Sequence, residues 1–311
     1  MNERLFQPGN AEATPEPEIT PTDATEAAPT GPLRRVMLLV AYDGSAFHGF
    51  ASQPQAGVET VGGSLVRALS GMVKTPVAVT CAGRTDAGVH AAGQVVHADL
   101  PADVVHRWLA AEPASGLPEL PRLAKSLTSQ LGPALVVVRA RLAPAGFDAR
   151  RSALARRYRY VFLRTPSPDP LQRLTTWHVP GELDLPAMRI AADALLGQHD
   201  FAAFCRRPAG REGPLTRRVT DVSWARGGCG RLLSFDIEAN AFCHRMVRSI
   251  VGNLVEVGRG RESAADMFDI LRTGDRARGG RLAPPDGLCL VLVRYPEELV
   301  EGGVLRSVAR S

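Results

Sequence analysis

The run Val36-Met37-Leu38-Leu39-Val40-Ala41-Tyr42 has no polar face. It stops at Asp43-Gly44, so it predicts a short buried strand, not a helix. Comparable runs at 76–81, 135–142, 158–163 and 288–295 also predict strands. Residues 219–224 and 232–238 predict a hairpin around Gly227-Gly228-Cys229-Gly230. Helical spacing appears between them. Leu65, Ala68, Leu69 and Met72 share one face of a helix over 62–72, with Thr60 placed to cap it. A second helix starts at Asp184 and Pro186 and is expected to end at Gly197. A third, over 241–257, carries Phe242, Met246, Ile250, Asn253 and Val257 near one face. Strands and helices mix without strict βαβ order. The expected class is α+β, with two halves of similar element order built on antiparallel or mixed sheet flanked by helices.

The chain divides by composition. Residues 1–33 hold six prolines, six acids and one base, Arg4, and read as a disordered acidic tail. Beyond them lie 36 basic and 26 acidic residues, an excess of ten. All the bases but Lys74 and Lys125 are arginine. Such an excess on a folded body points to a polyanion, or simply to a surface solvated by arginine. The expected organisation is 34–145 and 146–296 as two α+β halves, then a tail over 297–311. Residues 111–121 read as a surface loop.

Several classes are set aside. No apolar run approaches the ~18 residues of a membrane span. The acidic, proline-rich start does not look like a secretory signal. Five scattered cysteines, with no Cys-x-x-Cys, argue against a disulfide framework and a cysteine zinc site, and suit a reducing cytoplasm. His90 and His97 flank an apolar strand and read as structural, so no metal is expected. No Walker loop or dinucleotide fingerprint is present.

The densest chemistry lies in Cys81-Ala82-Gly83-Arg84-Thr85-Asp86-Ala87-Gly88-Val89-His90. Arg84 and Asp86 stand two apart in a glycine-punctuated loop that follows a buried strand. Glycines permit tight backbone paths and close approach of a ligand. An aspartate beside an arginine keeps its charge at neutral pH, which suits a nucleophile or electrostatic stabiliser and not a general acid. The same residues also make a turn stapled by an ion pair. Tyr158 and Tyr160 alternate on one strand face among Arg150, Arg151, Arg156, Arg157 and Arg159. Aromatics interleaved with bases are what an RNA cleft needs, and they equally suit a packed core. His244, Arg245 and Arg248 are spaced to share one side of the third helix, as a solvated face or as a site. Further arginines cluster at 206–218 and 272–281.

The loop, followed by Gly93-Gln94-Val95-Val96-His97, closely resembles the signature of the tRNA pseudouridine synthase A family. Other segments agree in order: Tyr42-Asp43-Gly44-Ser45, Phe147-Asp148-Ala149-Arg150, Ala155-Arg156-Arg157-Tyr158-Arg159-Tyr160, Ala239-Asn240-Ala241-Phe242, Met246-Val247-Arg248 and Asp286-Gly287-Leu288. The resemblance covers about residues 36–296. It implies the pseudouridine synthase fold with a central cleft. It also implies isomerisation of uridine to pseudouridine at positions 38–40 of the tRNA anticodon arm, by a homodimer without a cofactor. It assigns Asp86 as nucleophile, Arg84 to extraction of the target nucleotide, Tyr158 to stacking on the base and Arg248 to pairing with Asp86. Leu288 joins the substrate-binding set. The chain departs from the family at Gly49-Phe50-Ala51, where Gly-Trp-Gln is usual, and at Thr128-Ser129-Gln130-Leu131-Gly132, where Asn-x-x-Leu-Pro is usual. These departures bear on RNA contact and not on the reaction. Two other readings fit the same residues: a tRNA-binding or chaperone protein without catalysis, and a nucleosidase that uses Asp86 to cleave the glycosidic bond without rejoining it.

Overall fold

The computed structural model describes residues 31–52, 57–109, 117–207 and 213–305. The first part of the chain folds as β1 (Leu33–Tyr42), α1 (Val61–Val73), β2 (Val79–Cys81), β3 (His90–Pro101), α2 (Ala102–His106), α3 (Pro121–Leu131) and β4 (Leu135–Leu142). Next come β5 (Ala155–Leu163), β6 (Trp177–His178), α4 (Leu185–Asp193), β7 (Gly197–Asp200), β8 (Thr216–Gly227) and β9 (Leu232–Ala239). The last elements are α5 (Met246–Gly258), α6 (Ala264–Thr273), α7 (Arg276–Gly279) and β10 (Leu288–Arg294). The α+β class stands.

A single sheet runs through the described residues in the order β4-β1-β3-β10-β5-β9-β8-β7, with β2 on β3 and β6 on β5. Its C-terminal strand, β10, lies in the middle. β10 runs parallel to β3, with Cys289 and Leu290 beside His90 and Ala91, and antiparallel to β5. β1 is buried from Val36 to Val40, as its apolar run requires. α1 and α3 pack together, with α3 on β4, while α4 packs on α5 and α6. Gly93 lets β10 close on β3, since a Cβ there would stand 2.4 Å from the Val291 carbonyl oxygen.

Local signals placed most boundaries. The Thr60 hydroxyl accepts the Gly63 N–H at 3.1 Å and starts α1, and Asp184 caps α4 in the same way. Four expectations change. Residues 76–78 are not strand, because only 79–81 pair with β3. α4 ends at Asp193, and Gly197, at φ +97°, opens β7. α5 begins only at Met246, because Arg245 takes a left-handed φ of +67° that no helix continues through. Finally, α3 and α6 were not foreseen. Pro121 in the first turn with Leu123 and Leu127 four apart signals α3, and the Ser263/Asp266 capping box signals α6. Residues 1–30 of the expected acidic tail, 111–116 of the expected loop and 306–311 of the expected C-terminal tail lie outside the described residues, while Leu33 already belongs to β1 and Pro121 to α3. Residues 297–305 turn back on β10, where the Tyr295 N–H donates to the Gly303 carbonyl.

Candidate active site

β2 and β10 share one edge of β3. β2 pairs with residues 96–98 and β10 with 90–91. The loop 82–89 leaves β2 and returns into β3 at that change of partner, where the two parts of the sheet meet.

Hydrogen bonds pin the loop ahead of Asp86. The Ala82 N–H donates to Val95 at 2.8 Å, and Gln94 Nε2 donates to the Gly83 carbonyl at 2.6 Å. Thr85 Oγ1 and the Tyr42 hydroxyl share a bond of 2.8 Å. The Phe50 N–H donates to the Thr85 carbonyl at 3.1 Å, with Phe50 fully buried. Gly49, before it, has φ +95°, and a Cβ there would stand 2.9 Å from that same carbonyl. The departure at Gly49-Phe50-Ala51 therefore bears on the support of this loop and not only on RNA contact.

Arg156 is the largest support. Its guanidinium donates to the carbonyls of Ala82, Arg150, Ala153 and Asn240 through five bonds of 2.7–3.1 Å. It is buried, so the expectation that it faces phosphate is wrong. Arg157 pairs with Glu238 and Asp221, and Arg159 with Asp236, across the sheet. Arg272, Arg278 and Arg281 likewise pair with acids of α5, α6 and the segment between them. Strand and helix register sets acids opposite these arginines, which spacing along the chain does not reveal. Arg211 lies outside the described residues.

Asp86 has its side chain 22% exposed and is held at both oxygens. Arg248 Nη1 meets Oδ2 at 3.3 Å, and His244 Nε2 meets Oδ1 at 3.4 Å. Arg248 is anchored by a 2.8 Å bond from Nε to the Ala283 carbonyl, just before β10. His244 precedes α5, so the shared helix face expected for His244, Arg245 and Arg248 does not exist. Two of the three converge on Asp86 nonetheless.

Tyr158 lies beside this loop. Its ring meets Phe242 edge-on at 5.1 Å. A Cβ added to Gly83 would stand 3.9 Å from its hydroxyl. Burial pushes the Tyr158 hydroxyl pKa well up, with Asp86 adding to that and Arg156 opposing, so the hydroxyl keeps its proton at neutral pH. Tyr160 is different: its hydroxyl donates to the Pro284 carbonyl at 2.9 Å and its ring packs on Phe162 and Trp177. Leu288 is buried in register with Tyr160, and Leu290 is the residue opposite Tyr158. Arg84 is exposed.

The histidines read as structural are held in the fold. His90 Nδ1 accepts the Gly44 N–H and its Nε2 faces the Leu174 carbonyl, while His97 Nδ1 accepts the Ala149 N–H. Cys205 and Cys243, in the segments before β8 and α5, are brought side by side, with Cα atoms 5.8 Å apart. Nothing in their separation of 38 residues announces that pairing.

Residues 191–296 match the family described as tRNA pseudouridine synthase. The chain is similar to tRNA pseudouridine synthase A of Frankia casuarinae, at 44% identity over 86% of this chain and 92% of the relative. The proteins of that name from Mycobacterium leprae and Pseudomonas aeruginosa are 40% and 41% identical, over 89% and 90% of this chain and 96% and 92% of theirs. The chain belongs to the tRNA pseudouridine synthase A family.

Proposed function

We propose that this chain isomerises uridine to pseudouridine at positions 38–40 of the tRNA anticodon stem-loop, with Asp86 as nucleophile. The observation that carries the reading is the Asp86 carboxylate, mounted on a pinned loop, bound by Arg248 and set beside Tyr158. The reaction detaches uracil at N1 and rejoins it through C5. It needs no redox change and no hydrolysis, so it calls for no cofactor. The base must first leave its stack, at a cost of a few kcal/mol. The exposed Arg84 assists that extraction, and Tyr158 supplies a stacking face worth ~1–3 kcal/mol. Arg248 keeps Asp86 oriented and charged, and Leu288 helps close the pocket. Closing the site keeps water from the detached base. In this reading 34–145 contributes Asp86 and 146–296 contributes Tyr158 and Arg248, and two chains work as a homodimer in the cytoplasm. Among the described residues no helix is long and apolar enough to cross a membrane.

The test is tRNA carrying tritium at uridine C5, because forming the C1′–C5 bond must finally expel that hydrogen. Release at substrate positions supports the reading. Binding without release, or release of free uracil, overturns it.

Two further results are expected. tRNA affinity falls on the order of 10²-fold between 50 and 200 mM salt, through counterion release, and a flat dependence in a filter-binding titration contradicts the polyanion reading. Removing residues 1–33 does not weaken binding, since that segment has six acids against one base. The tyrosines also separate. Tyr158→Phe keeps the stacking face and binds tRNA nearly normally, whereas Tyr158→Ala weakens binding of the flipped base by about 1–3 kcal/mol. Tyr160→Phe loses the bond to Pro284 and about 1 kcal/mol of stability, with kcat unchanged. An inactive Tyr160→Phe beside a fully active Tyr158→Ala, both folded, reverses the assignment.

A further inference from the structure

We propose that Cys205 and Cys243 are a redox-sensitive thiol pair, which a peroxide closes into a disulfide that holds the segment beside the active site shut and slows the reaction. Closure of the bond stands apart from the pseudouridine reading above. Its effect on rate rests on that reading.

The fold brings the two cysteines together from 38 residues apart, with Cα atoms separated by 5.8 Å. Disulfides mostly span about 5.5–6 Å between Cα atoms, so this pair can close without a shift of either backbone. The chain beside the pair is joined as well, since the Arg206 N–H donates to the His244 carbonyl at 3.0 Å. Cys205 stands on a fixed support. It follows the fully buried Phe201 and Phe204, and Arg276 donates to its carbonyl. Cys243 stands on residues 240–245, which lie between β9 and α5 and belong to neither.

That segment touches the site twice. Phe242 meets the Tyr158 ring edge-on at 5.1 Å, and His244 Nε2 lies 3.4 Å from Asp86 Oδ1. Tyr158 is buried. A base that stacks on it must displace a neighbour, and Phe242, half-buried on an irregular segment, is placed to give way. Cys243 sits between Phe242 and His244 in the chain. A bond from Cys243 to Cys205 ties the segment to its support and keeps Phe242 against Tyr158.

The oxidant is hydrogen peroxide. Cys243 is half-buried and Cys205 fully buried, so peroxide reaches Cys243 first. The Cys243 sulfur attacks one peroxide oxygen and the O–O bond breaks. The sulfur becomes a sulfenic acid, and the other oxygen leaves as hydroxide and takes the thiol proton to become water. The Cys205 sulfur then attacks the sulfenic sulfur. The S–S bond forms, and the hydroxyl departs with the Cys205 proton as a second water. Two thiols lose two hydrogens with their electrons, and one peroxide becomes two waters. Arg206 and Arg245, whose charges both reach His244, bring positive charge to a pair whose reactive form is the anion. In a reducing compartment the pair rests as two thiols, and disulfides formed there are usually transient and redox-sensing.

The experiment treats the full-length wild type, Cys205→Ser, Cys243→Ser and Cys229→Ser with hydrogen peroxide and then with dithiothreitol. Cys229, exposed and free, is the control. Before oxidation all four release C5 tritium from tRNA at the same rate. After peroxide, the thiols of the denatured wild type fall from five to three as two join. Peptide masses place the link between Cys205 and Cys243. kcat falls about tenfold or more, as blocking a site-opening motion does, while tRNA Kd changes less than about threefold. Dithiothreitol restores the rate. Cys229→Ser responds like the wild type, and Cys243→Ser keeps its rate through the treatment. If the buried Cys205→Ser does not fold, Cys243→Ser alone decides. Five thiols remaining after peroxide, or a link through Cys229, overturns the proposal. A linked protein of unchanged kcat also overturns it, as does a loss of rate that Cys243→Ser shares. Failure of the underlying reading looks different: the reduced wild type then releases no tritium, while the thiol count still reports on the bond.

Discussion

Asp86→Asn is expected to leave tRNA bound and to stop the proposed reaction. The amide keeps the shape of the carboxylate and its place between Arg248 and His244, but it has lost the negative charge. Removing a nucleophile outright costs on the order of 10⁴-fold or more in rate, far beyond the effect of a neighbour that orients it. Most tRNA affinity comes from phosphate contacts elsewhere, so Kd changes by less than about threefold. Release of C5 tritium under single-turnover conditions, beside a filter-binding Kd, reads both quantities. A variant that releases tritium near the wild-type rate removes Asp86 from the role of nucleophile.

Arg156→Ala is expected to lose about 3–5 kcal/mol of stability, the largest effect of any single arginine. Five hydrogen bonds vanish at once, and the carbonyls of Ala82, Arg150, Ala153 and Asn240 are left in a site with little water. Arg156→Lys rescues little, because one ammonium cannot span what the planar fork reaches. The midpoint of urea unfolding measures the loss. At the same time kcat falls, because the Ala82 carbonyl is where β5 grips the loop that carries Asp86. Arg157→Ala provides the contrast: Asp221 is exposed and the buried Glu238 keeps its pair with Arg294, so the loss is smaller, about 1–2 kcal/mol. Equal stability of the two variants contradicts the assignment of Arg156 as the loop's anchor.

Much of this was legible along the chain, for a physical reason. Strand and helix periods are local, so the alternation at 135–142 gave β4 its observed limits and Thr60 and Asp184 marked the starts of their helices. The order Gly83-Arg84-Thr85-Asp86 named the loop and its carboxylate without any coordinates. What the chain order could not tell was partnership. Arg156 and Arg157 are adjacent and identical in type, yet one is sealed under the loop and the other pairs with acids across the sheet, since neighbours on a strand face opposite ways. His244 and Arg248 looked like one helix face, and it took the left-handed turn at Arg245 to bring both to Asp86 by separate routes. Residues that decide such matters lie far apart in sequence, from Asp86 to Arg248. They meet because β10 enters the middle of the sheet, between β3 and β5. Residue types and their spacing determined most elements and picked out the loop with its carboxylate. The pairing of distant strands, which no local period encodes, decided which charges face it.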